Sequence, residues 1–552
     1  MGVPNLWNLL KVACIPISFR QFAIEQGFLA NRHGDRTLWV GVDASNWLFI
    51  AMYRHGETQN PELITLFTQC ERLAQLPVKA HFVFDGPERP SVKRGARIKR
   101  NENWLVDYFR KMIDAFGFTY STALGEAEVE LARMSQAQML DVVLTEDSDS
   151  IVFGTAVVAR KHGLEHDHTR QYDMLMYRME DVTNHPSLGF NSLDLTFIAL
   201  VAGGDYAPGI KNCGTNIASE LVHSGLGRQL PHLLECNDPN ITARWRLALC
   251  EELRSNSSRH LTSRHPTIAA GIPPDFPDLN VVRLYLEPAA HSSRPPPFSQ
   301  APHSIDAVAI AALASTSFQW GKRAIDTLER FAKSVFPALA LRELIRDTNI
   351  ADAGSRQNGR HHMITAIVRE RKASETCFLA EARATLTIQP GLIKSICEHL
   401  PDWPLHDSAL AALEEPSTWY RAWLPRDLVK HARPDLLDAF DNRKQGSSRL
   451  HSSPSSVASS SLYPYLAPRL TPTRSRKKDI STSTANATSS NTKGKKRALA
   501  SDSEVEVSEI SPSSSRGVYK RGRRTTIEVQ KEADGTEVWD VSSESCSGTE
   551  AC

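Results

Sequence analysis

The chain lacks several features that would assign it directly to a broad class of protein. It has no apolar stretch long enough to span a bilayer and no secretory signal ahead of its first apolar residues, so we expect neither a membrane-spanning nor a secreted protein. Its nine cysteines are scattered without a C-x-x-C pair, which favours a reducing compartment and argues against zinc. A net charge of +1 over 552 residues says little about partners.

The stretch 125–154 contains two tight acidic pairs. Glu126 and Glu128 stand where a helix is predicted to begin, and Asp147 and Asp149 directly follow the apolar run 141–145, which predicts a buried strand. Residues just past the carboxyl end of a strand are the usual functional positions of open α/β sheets. For a single pair, a solvated helix start or a polar turn would be explanation enough.

Three further aspartates make a purely structural explanation of the acidic pairs less favourable. Asp43 ends the apolar run 38–43, Asp85 ends the run 80–85, and Asp205 follows a predicted helix end. Each alone is explained as a turn or cap residue. Seven carboxylates at the ends of three strands and their adjoining helices would repel one another unless a hard cation holds them.

The segments around these residues resemble, in order, six motifs of the flap-endonuclease/XPG family of structure-specific nucleases. They are MGVPNLW (1–7), VDASNW (42–47), VFDG (83–86), GEAEVE (125–130), LTEDSDS (144–150) and GGDY (203–206). The resemblance covers roughly residues 1–230. It implies an α/β fold, namely a PIN-like nuclease core, with two divalent metal ions.

The resemblance also implies which side chains hold the metals. One ion would be held, directly or through water, by Asp43, Asp85, Glu126 and Glu128, and the other by Asp147, Asp149 and Asp205. Mg²⁺ suits such an all-carboxylate site, and Mn²⁺ is expected to substitute for it. Two metals would generate the attacking hydroxide and stabilise the leaving oxygen.

A basic run, 87–101, follows Asp85 directly. Lys93 and Arg100 match the two catalytic basic residues that the family places above the scissile phosphate, and Arg94 and Arg97 are expected to bind DNA with them. The alternative is an ordinary solvated basic face. In the family, Gly2 also lies near the active site, and we expect it to be part of the DNA-binding surface.

Only 41 positions separate Asp85 from Glu126. Replicative flap endonucleases of this family carry a longer helical arch here, so the short connection resembles the Holliday-junction-resolvase branch. An enzyme without a full arch does not need to thread a free 5′ end.

Residues 207–221 resemble the family's helix–two-turn–helix, whose turn binds duplex phosphates together with a potassium ion. The expected DNA contacts are Gly209, Lys211 and Gly214. Thr215 and Asn216 stand where the family usually has lysine, and an ordinary tight helix connection is the alternative.

The expected organisation has five parts. They are nuclease regions at 1–105 and 106–205, a helix–two-turn–helix with further helices at 206–350, a small α+β, chromodomain-like module at 360–441, and a disordered, Ser-rich basic tail at 442–552. Within the module, paired strands are predicted at 362–370 and 377–386, and residues 419, 423–425 and 436–440 suggest a closing helix. Basic clusters at 474–478, 493–497 and 520–524 predict a nuclear protein.

These features together predict a DNA endonuclease that resolves Holliday junctions in recombination and repair. Its partner would be branched double-stranded DNA, bound by a protein that is monomeric in solution and dimeric on a four-way junction. Two alternatives stay open: a 5′ flap endonuclease, for which the tail lacks a sliding-clamp motif, and a non-catalytic DNA-binding scaffold on the same fold.

Overall fold

The structure is a computed structural model. It describes residues 2–54, 59–97, 104–161, 173–290, 304–318, 320, 323–354, 362–373, 377–385, 391–400, 420–447, 526–531 and 537–542. Contacts divide the chain into two units, the first comprising residues 1–466 with 531–537 and the second residues 467–530 with 538–552. The first unit carries all of the predicted metal ligands.

A seven-stranded mixed sheet organises the first unit. Its strands are β1 (Ile15–Ser18), β2 (Leu38–Asp43), β3 (Val78–Phe84), β6 (Thr119–Thr122), β7 (Val142–Leu144), β8 (Val157–Lys161) and β9 (Asp173–Arg178). Their order across the sheet is β1-β9-β8-β7-β2-β3-β6. The five strands from β8 to β6 are parallel to their neighbours, while β9 and β1 run antiparallel along one edge.

The central strands read as apolar runs because helices cover both faces of the sheet. Val40, Val42, Phe82 and Val143 are fully buried. The helices and helical turns of this half of the chain are Leu6–Leu9, Leu10–Ala13 (3₁₀), Phe19–Phe22, Ala23–Leu29 (π), Ala44–Met52, Pro61–Ala74, Trp104–Ala115, Ala127–Gln136, Asp149–Val152, Met179–Asn184 and Ser192–Ala202. Strands β2, β3 and β7 lie where the apolar runs predicted them.

A small hairpin stands in the predicted basic run. Strand β4 (Val92–Lys93) pairs with β5 (Ala96–Arg97), and Arg94 and Gly95 form the turn with φ angles of 52° and 75°. Two positive φ angles in succession are typical of the type I′ turn that suits a two-residue hairpin.

Beyond Asp205 the chain is helical. The elements are Thr215–Leu221, Val222–Ser224 (3₁₀), Gly227–Gln229 (3₁₀), Leu230–Cys236, Pro239–Ser255, Pro266–Ala270, Leu279–Leu286, Ala307–Ser317, Ala324–Lys333 and Val335–Asp352. The first seven pack with the N-terminal helix around Leu10, Phe197 and Leu253, whereas the last three join the core beneath β2 and β3.

A second sheet has the order β10 (Ile364–Lys372), β11 (Phe378–Ala384) and β12 (Tyr420–Pro425), and it is antiparallel throughout. Helices Leu392–Cys397, Arg426–Ala432 and Pro434–Ser447 accompany it. The pairing of β10 with β11 was predicted. Residues 423–425 were expected to help form a closing helix, but they lie in β12, because Tyr420, Ala422 and Leu424 alternate into the shared core.

This second sheet is tied to the helix Val335–Asp352. The Tyr420 hydroxyl donates a hydrogen bond to the Phe336 carbonyl at 3.0 Å, and the Met363 amide donates to Glu343 Oε1 at 2.8 Å. Both sides of the junction belong to one hydrophobic cluster, so the second sheet packs on the core of the large sheet.

Two parts of the predicted tail differ from the expectation of disorder. The helix Pro434–Ser447 continues past residue 442, and Arg443 donates from Nη2 to the Ile367 carbonyl at 2.8 Å. Strands β13 (Thr526–Lys531) and β14 (Glu537–Ser542) form a two-stranded sheet. Their sequences contain the β-branched residues Ile527, Val529, Val538 and Val541, which favour a strand over a coil. The basic clusters fall outside the described residues.

Candidate metal centre and nucleic-acid interface

All seven predicted carboxylates lie at one edge of the large sheet. Asp43 ends β2, Asp85 directly follows β3, and Asp147 and Asp149 follow β7. These three strands are parallel neighbours, so their carboxyl ends meet at the same place. The helix Ala127–Gln136 begins there with Glu126 at its N-cap, and Asp205 lies in the loop that follows the helix Ser192–Ala202.

Backbone and hydroxyl hydrogen bonds fix several of these side chains. Asp43 accepts from the Asn46 amide at 2.9 Å and from Thr145 Oγ1 at 3.1 Å. Asp85 Oδ1 accepts from the Ala127 amide at 3.0 Å, which links the end of β3 to the start of the next helix. These bonds fix the orientation of the two carboxylates.

Asp149 differs from its neighbours. Its side chain is fully buried, and neither carboxylate oxygen has a hydrogen-bond partner among the described residues. A buried carboxylate without a partner carries a large desolvation cost, which a bound cation would offset.

The cluster strongly perturbs its own ionisation. Burial raises the pKa of Asp43 to about 7, and repulsion from Asp85 and Asp147 adds to this effect. Burial, with repulsion from Asp147 and Asp205, raises the pKa of Asp149 well above its usual value. Buried oxygen ligands whose charges repel one another fit the hard divalent cations that the sequence predicts, and they do not fit a soft metal.

The basic hairpin reaches into this cluster. Lys93 Nζ lies 3.2 Å from Glu128 Oε1 and 3.4 Å from Asp205 Oδ2, and it also pairs with Glu126. Burial alone would lower the pKa of Lys93, but Glu128 and Glu126 raise it above its usual value. The lysine that was predicted to meet a phosphate therefore lies among the carboxylates.

Arg94 and Gly2 meet at Asp205. The Arg94 guanidinium donates to Asp205 Oδ1 at 2.9 Å and to the Gly2 carbonyl at 2.7 Å, while the Gly2 nitrogen donates to Asp205 Oδ1 at 3.2 Å. A Cβ at Gly2 would come within 2.5 Å of Asp147 Oδ1 and 2.7 Å of Asp149 Oδ1, and φ is +76°. Only glycine fits there, and the predicted position of Gly2 beside the site is the observed one.

The remaining predicted contacts are more dispersed. Arg97 lies in β5, but its side chain and the whole of Arg100 fall outside the described residues. Gly209 has a φ of +74° and its Cα packs against the backbone of Gly203, which is reason enough for a glycine there. Gly214 caps the helix Thr215–Leu221 in open space, and Lys211 is exposed beside it.

Two tyrosines line the same site, and sequence reasoning gave neither a role. The Tyr206 hydroxyl donates to Glu126 Oε2, and its ring meets the Tyr285 ring edge to face, with 4.7 Å between centroids. Tyr206 stands in the GGDY motif, so its place beside Asp205 was a usable signal. Tyr285 lies 79 residues beyond Tyr206 and offered no such signal.

Comparison with known proteins gives the class first. The family described as the XPG I-region matches residues 117–205, which include both acidic pairs and Asp205. The fold is the PIN-like nuclease fold of XPG enzymes, and the resemblance read from the motifs is confirmed.

Two curated relatives place the chain more narrowly. It is 26% identical over 253 residues to Flap endonuclease GEN homolog 1 of Homo sapiens, a match covering 42% of this chain and 26% of that protein. It is 21% identical over 329 residues to Holliday junction resolvase YEN1 of Saccharomyces cerevisiae, covering 44% of this chain and 41% of the relative. The chain therefore spans less than half the length of these two relatives.

Solved structures show a likeness of fold over most of the chain. The Holliday junction-resolving enzyme GEN1 in complex with product DNA and Mg²⁺ aligns with a TM-score of 0.60 at 23% identity, covering 80% of this chain and 100% of that one. The same enzyme with Mg²⁺ and Mn²⁺, and GEN-1 binding potassium, align at TM-scores of 0.61 and 0.60. At these identities the likeness concerns the fold.

Proposed function

We propose that this protein is a divalent-metal-dependent DNA endonuclease that cuts branched DNA, with the four-way junction as its substrate. The observation that carries the proposal is the group of seven carboxylates at one sheet edge, where Asp149 is fully buried and has no hydrogen-bond partner among the described residues. A structural role would not require so many repelling charges in one place.

Asp43, Asp85, Glu126 and Glu128 are suited to hold one Mg²⁺, and Asp147, Asp149 and Asp205 the other, with Mn²⁺ as a substitute. Bound there, the metals would supply an activated water and a positive field for the phosphate oxygens. Proteins of similar fold were solved with Mg²⁺, Mn²⁺ and potassium, which supports divalent and monovalent cations as cofactors here. We place the K⁺ ion at the turn between Gly209 and Gly214.

Lys93 would act with Arg100 on the scissile phosphate. Its ammonium is held close to Glu126, Glu128 and Asp205, so a small side-chain movement would bring it to a phosphate bound above those groups. Charge that develops on the phosphate oxygens would then be stabilised by a fixed cation. Gly2, Arg94 and Arg97 would contact the same strand, and Lys211 with Gly209 and Gly214 would hold the duplex arm.

The interval between Asp85 and Glu126 supports a junction substrate. Its described residues form the hairpin β4–β5, the helix Trp104–Ala115 and β6, which is itself part of the sheet. Helix Trp104–Ala115 packs into the core through Phe109, Met112 and Ile113, so it is not free to build an arch. A continuous duplex arm could enter such a site without a free end.

The deciding experiment uses a cruciform plasmid that has no free ends, incubated with purified protein and Mg²⁺. We expect linear product formed within one encounter, which requires two coordinated nicks and therefore a dimer on the junction, although the free protein is a monomer. Parallel assays on a 5′ flap and a replication fork measure preference. Inertness toward the cruciform with brisk flap cleavage would move the proposal to a 5′ flap endonuclease, the activity in the human relative's name.

If the protein is instead a catalytically inert scaffold, it should bind every one of these substrates without cleaving any.

We further propose a nuclear location, since junction resolution requires chromosomal DNA and the basic clusters at 474–478, 493–497 and 520–524 fit nuclear import. In the part of the chain that the structure describes, no helix combines the length and apolar character needed to cross a membrane. Fusing residues 448–552 to a fluorescent reporter tests import directly.

A further inference from the structure

One polar group beside the carboxylates is still unexplained, the hydroxyl of Tyr285. This residue lies near the end of the helix Leu279–Leu286, far along the chain from every acidic motif. Its side chain is 95% buried, and its hydroxyl has no hydrogen-bond partner among the described residues. Buried tyrosine hydroxyls usually find a partner, because leaving one unsatisfied costs free energy.

The ring of Tyr285 is held firmly in place. It packs edge to face on Tyr206, with centroids 4.7 Å apart, and lies 6.0 Å from the Phe153 ring. The Tyr206 hydroxyl in turn binds Glu126. These contacts fix where the hydroxyl of Tyr285 points.

The loop that carries Asp205 makes room for that hydroxyl. A Cβ at Gly204 would overlap the Tyr285 oxygen, so the glycine before Asp205 is what allows the phenol to reach this depth. Gly204 is itself anchored, since its amide donates to the Ala207 carbonyl at 3.0 Å. The hydroxyl therefore enters the site beside a predicted metal ligand.

The charges around Tyr285 identify what it faces. Burial raises its pKa well above the usual value, and the negative groups that add to this effect are Asp149, then Asp205, then Glu126. Asp149 is the carboxylate whose two oxygens are also without partners among the described residues. One donor and one acceptor at the carboxylate cluster are thus both without partners, and the charge of Asp149 acts on the phenol of Tyr285.

We propose that Tyr285 is a positioning residue of the metal centre, whose hydroxyl donates a hydrogen bond to the hydration shell of the divalent cation that Asp149 and Asp205 hold. The inference rests on the proposed function, since it requires a cation in the carboxylate cluster. It gives the helix Leu279–Leu286 a direct part in metal binding. Groups that orient metal ligands in this way typically contribute about 10- to 100-fold to metal affinity.

The test is calorimetric titration of Ca²⁺, and separately Mn²⁺, into the full-length wild type and Tyr285→Phe. Phenylalanine preserves the ring packing and removes only the hydroxyl. We expect cation affinity to fall about 10-fold. In single-turnover cleavage, the Mg²⁺ concentration for half-maximal rate should rise by a similar factor, while the rate at saturating Mg²⁺ changes little.

Melting with bound Ca²⁺, compared with melting in EDTA, distinguishes this role from a merely structural one, because the proposed hydrogen bond exists only when the cation is bound. If the hydroxyl were only a buried, unsatisfied group, Tyr285→Phe would melt higher than wild type by the same amount in both conditions and bind cations with unchanged affinity, which would overturn the proposal. The matched control is Tyr420→Phe, which removes a buried hydroxyl that donates to the Phe336 carbonyl at 3.0 Å. It should melt lower and bind cations normally.

An equal loss of affinity in both tyrosine variants would also overturn the proposal, since any lost buried hydroxyl would then have the same effect. Failure of the wild type itself to bind Ca²⁺ or Mn²⁺ would instead contradict the metal centre on which the proposed function depends. If only the positioning role is wrong, the wild type still binds the cation, and Tyr285→Phe binds it with the same affinity as the wild type.

Discussion

Acidic side chains that are buried or half-buried occur in this protein in two different settings. Elsewhere in the first unit, several pair with a basic side chain of the fold: Lys79 Nζ lies 2.6 Å from Asp35, His362 Nδ1 lies 3.0 Å from Asp347, and Arg369 Nε lies 2.5 Å from Glu381. At the sheet edge, seven carboxylates lie together, and the cations paired with them come from the short segment that contains Arg89, Lys93 and Arg94.

The ionisation of the two groups differs accordingly. Burial alone would raise the pKa of Asp35, but hydrogen bonds from Lys79 and Trp39 bring it below the usual value. For Asp149 burial and like charges act together, and its pKa rises well above the usual value. Asp35 is thus stabilised as a charged group by a basic side chain of the fold, whereas both oxygens of Asp149 are without a hydrogen-bond partner among the described residues.

The largest expected effect is on the cleavage rate, which should fall when a sheet-edge carboxylate is changed and not when a carboxylate elsewhere is changed. Asp149→Asn should reduce cleavage at saturating Mg²⁺ by at least about 10³-fold while largely sparing DNA binding, because it removes a metal ligand but little surface. The matched change in the other group, Asp347→Asn, should leave the cleavage rate unchanged and lower the free energy of unfolding by about 1–2 kcal/mol. Single-turnover cleavage and chemical denaturation measure both. Near-wild-type turnover in Asp149→Asn would contradict the two-metal assignment.

A second comparison concerns two lysines, each paired with carboxylates. Lys93→Ala combined with Arg100→Ala should slow the chemical step about 100-fold and weaken DNA binding much less, since a phosphate contact matters most in the transition state. Lys79→Ala should lower stability and leave the rate unchanged. If the double variant lost only affinity, the basic run would be a general phosphate-binding face.

The two groups should also respond to pH in opposite directions. In the folded state Asp43 binds its proton more tightly than in the unfolded chain, with a pKa of about 7 against 3.8. Without divalent cations, its contribution to stability is therefore complete at low pH and is lost as the pH rises from about 4 to about 7. Asp43→Asn should be more stable than wild type by up to about 4 kcal/mol at pH 8 in EDTA and indistinguishable at low pH.

Because the pKa of Asp35 is lowered in the folded state, its contribution to stability depends on pH in the opposite direction. Its stabilisation is present above the unfolded pKa and is lost on acidification, so Asp35→Asn should be costly at pH 7 and nearly neutral below pH ~3. Denaturation curves across this range measure both variants. Parallel pH profiles for Asp43→Asn and the wild type in EDTA would show that the carboxylate cluster is not under electrostatic strain.

The smallest effect is expected from the tail. Removing residues 448–552 should change the melting temperature of the first unit by no more than about 2 °C, because so polar a segment buries little apolar area. A longer truncation that also removes the helix Pro434–Ser447 should lower it clearly, since Leu437 is buried and Arg443 binds the Ile367 carbonyl. A large drop from the shorter truncation would show that the tail packs on the core.

Much of the metal centre could be predicted because its parts carry local signals. An apolar run that ends in aspartate marks a strand end, as at Asp43 and Asp85, and parallel strands bring such ends together. The helix start at Glu126 was equally readable, since acidic residues favour a helix N-terminus. Those predictions needed only the few residues on either side of each carboxylate.

The parts that could not be predicted depend on contacts between distant segments. Arg94 meets Gly2, and Tyr285 meets Tyr206, through packing that no local pattern encodes. Strand β12 contains Trp423 and Pro425, which favour a helix end in isolation, but pairing with β11 overrides that preference. The strands at 526–531 and 537–542 were missed because the surrounding composition is so polar.

The order in which the strands of the large sheet pair constrains how the protein can fold during synthesis. Strand β1 pairs with β9, with residue 15 opposite residue 176, and the Gly2 nitrogen donates a hydrogen bond to Asp205. During synthesis the first strand must therefore remain without its partner until most of the nuclease core has left the ribosome, and long-range pairings of this kind form slowly. A nascent chain cannot assemble its carboxylate cluster early, so any cleavage activity would arise only after the whole core has been translated.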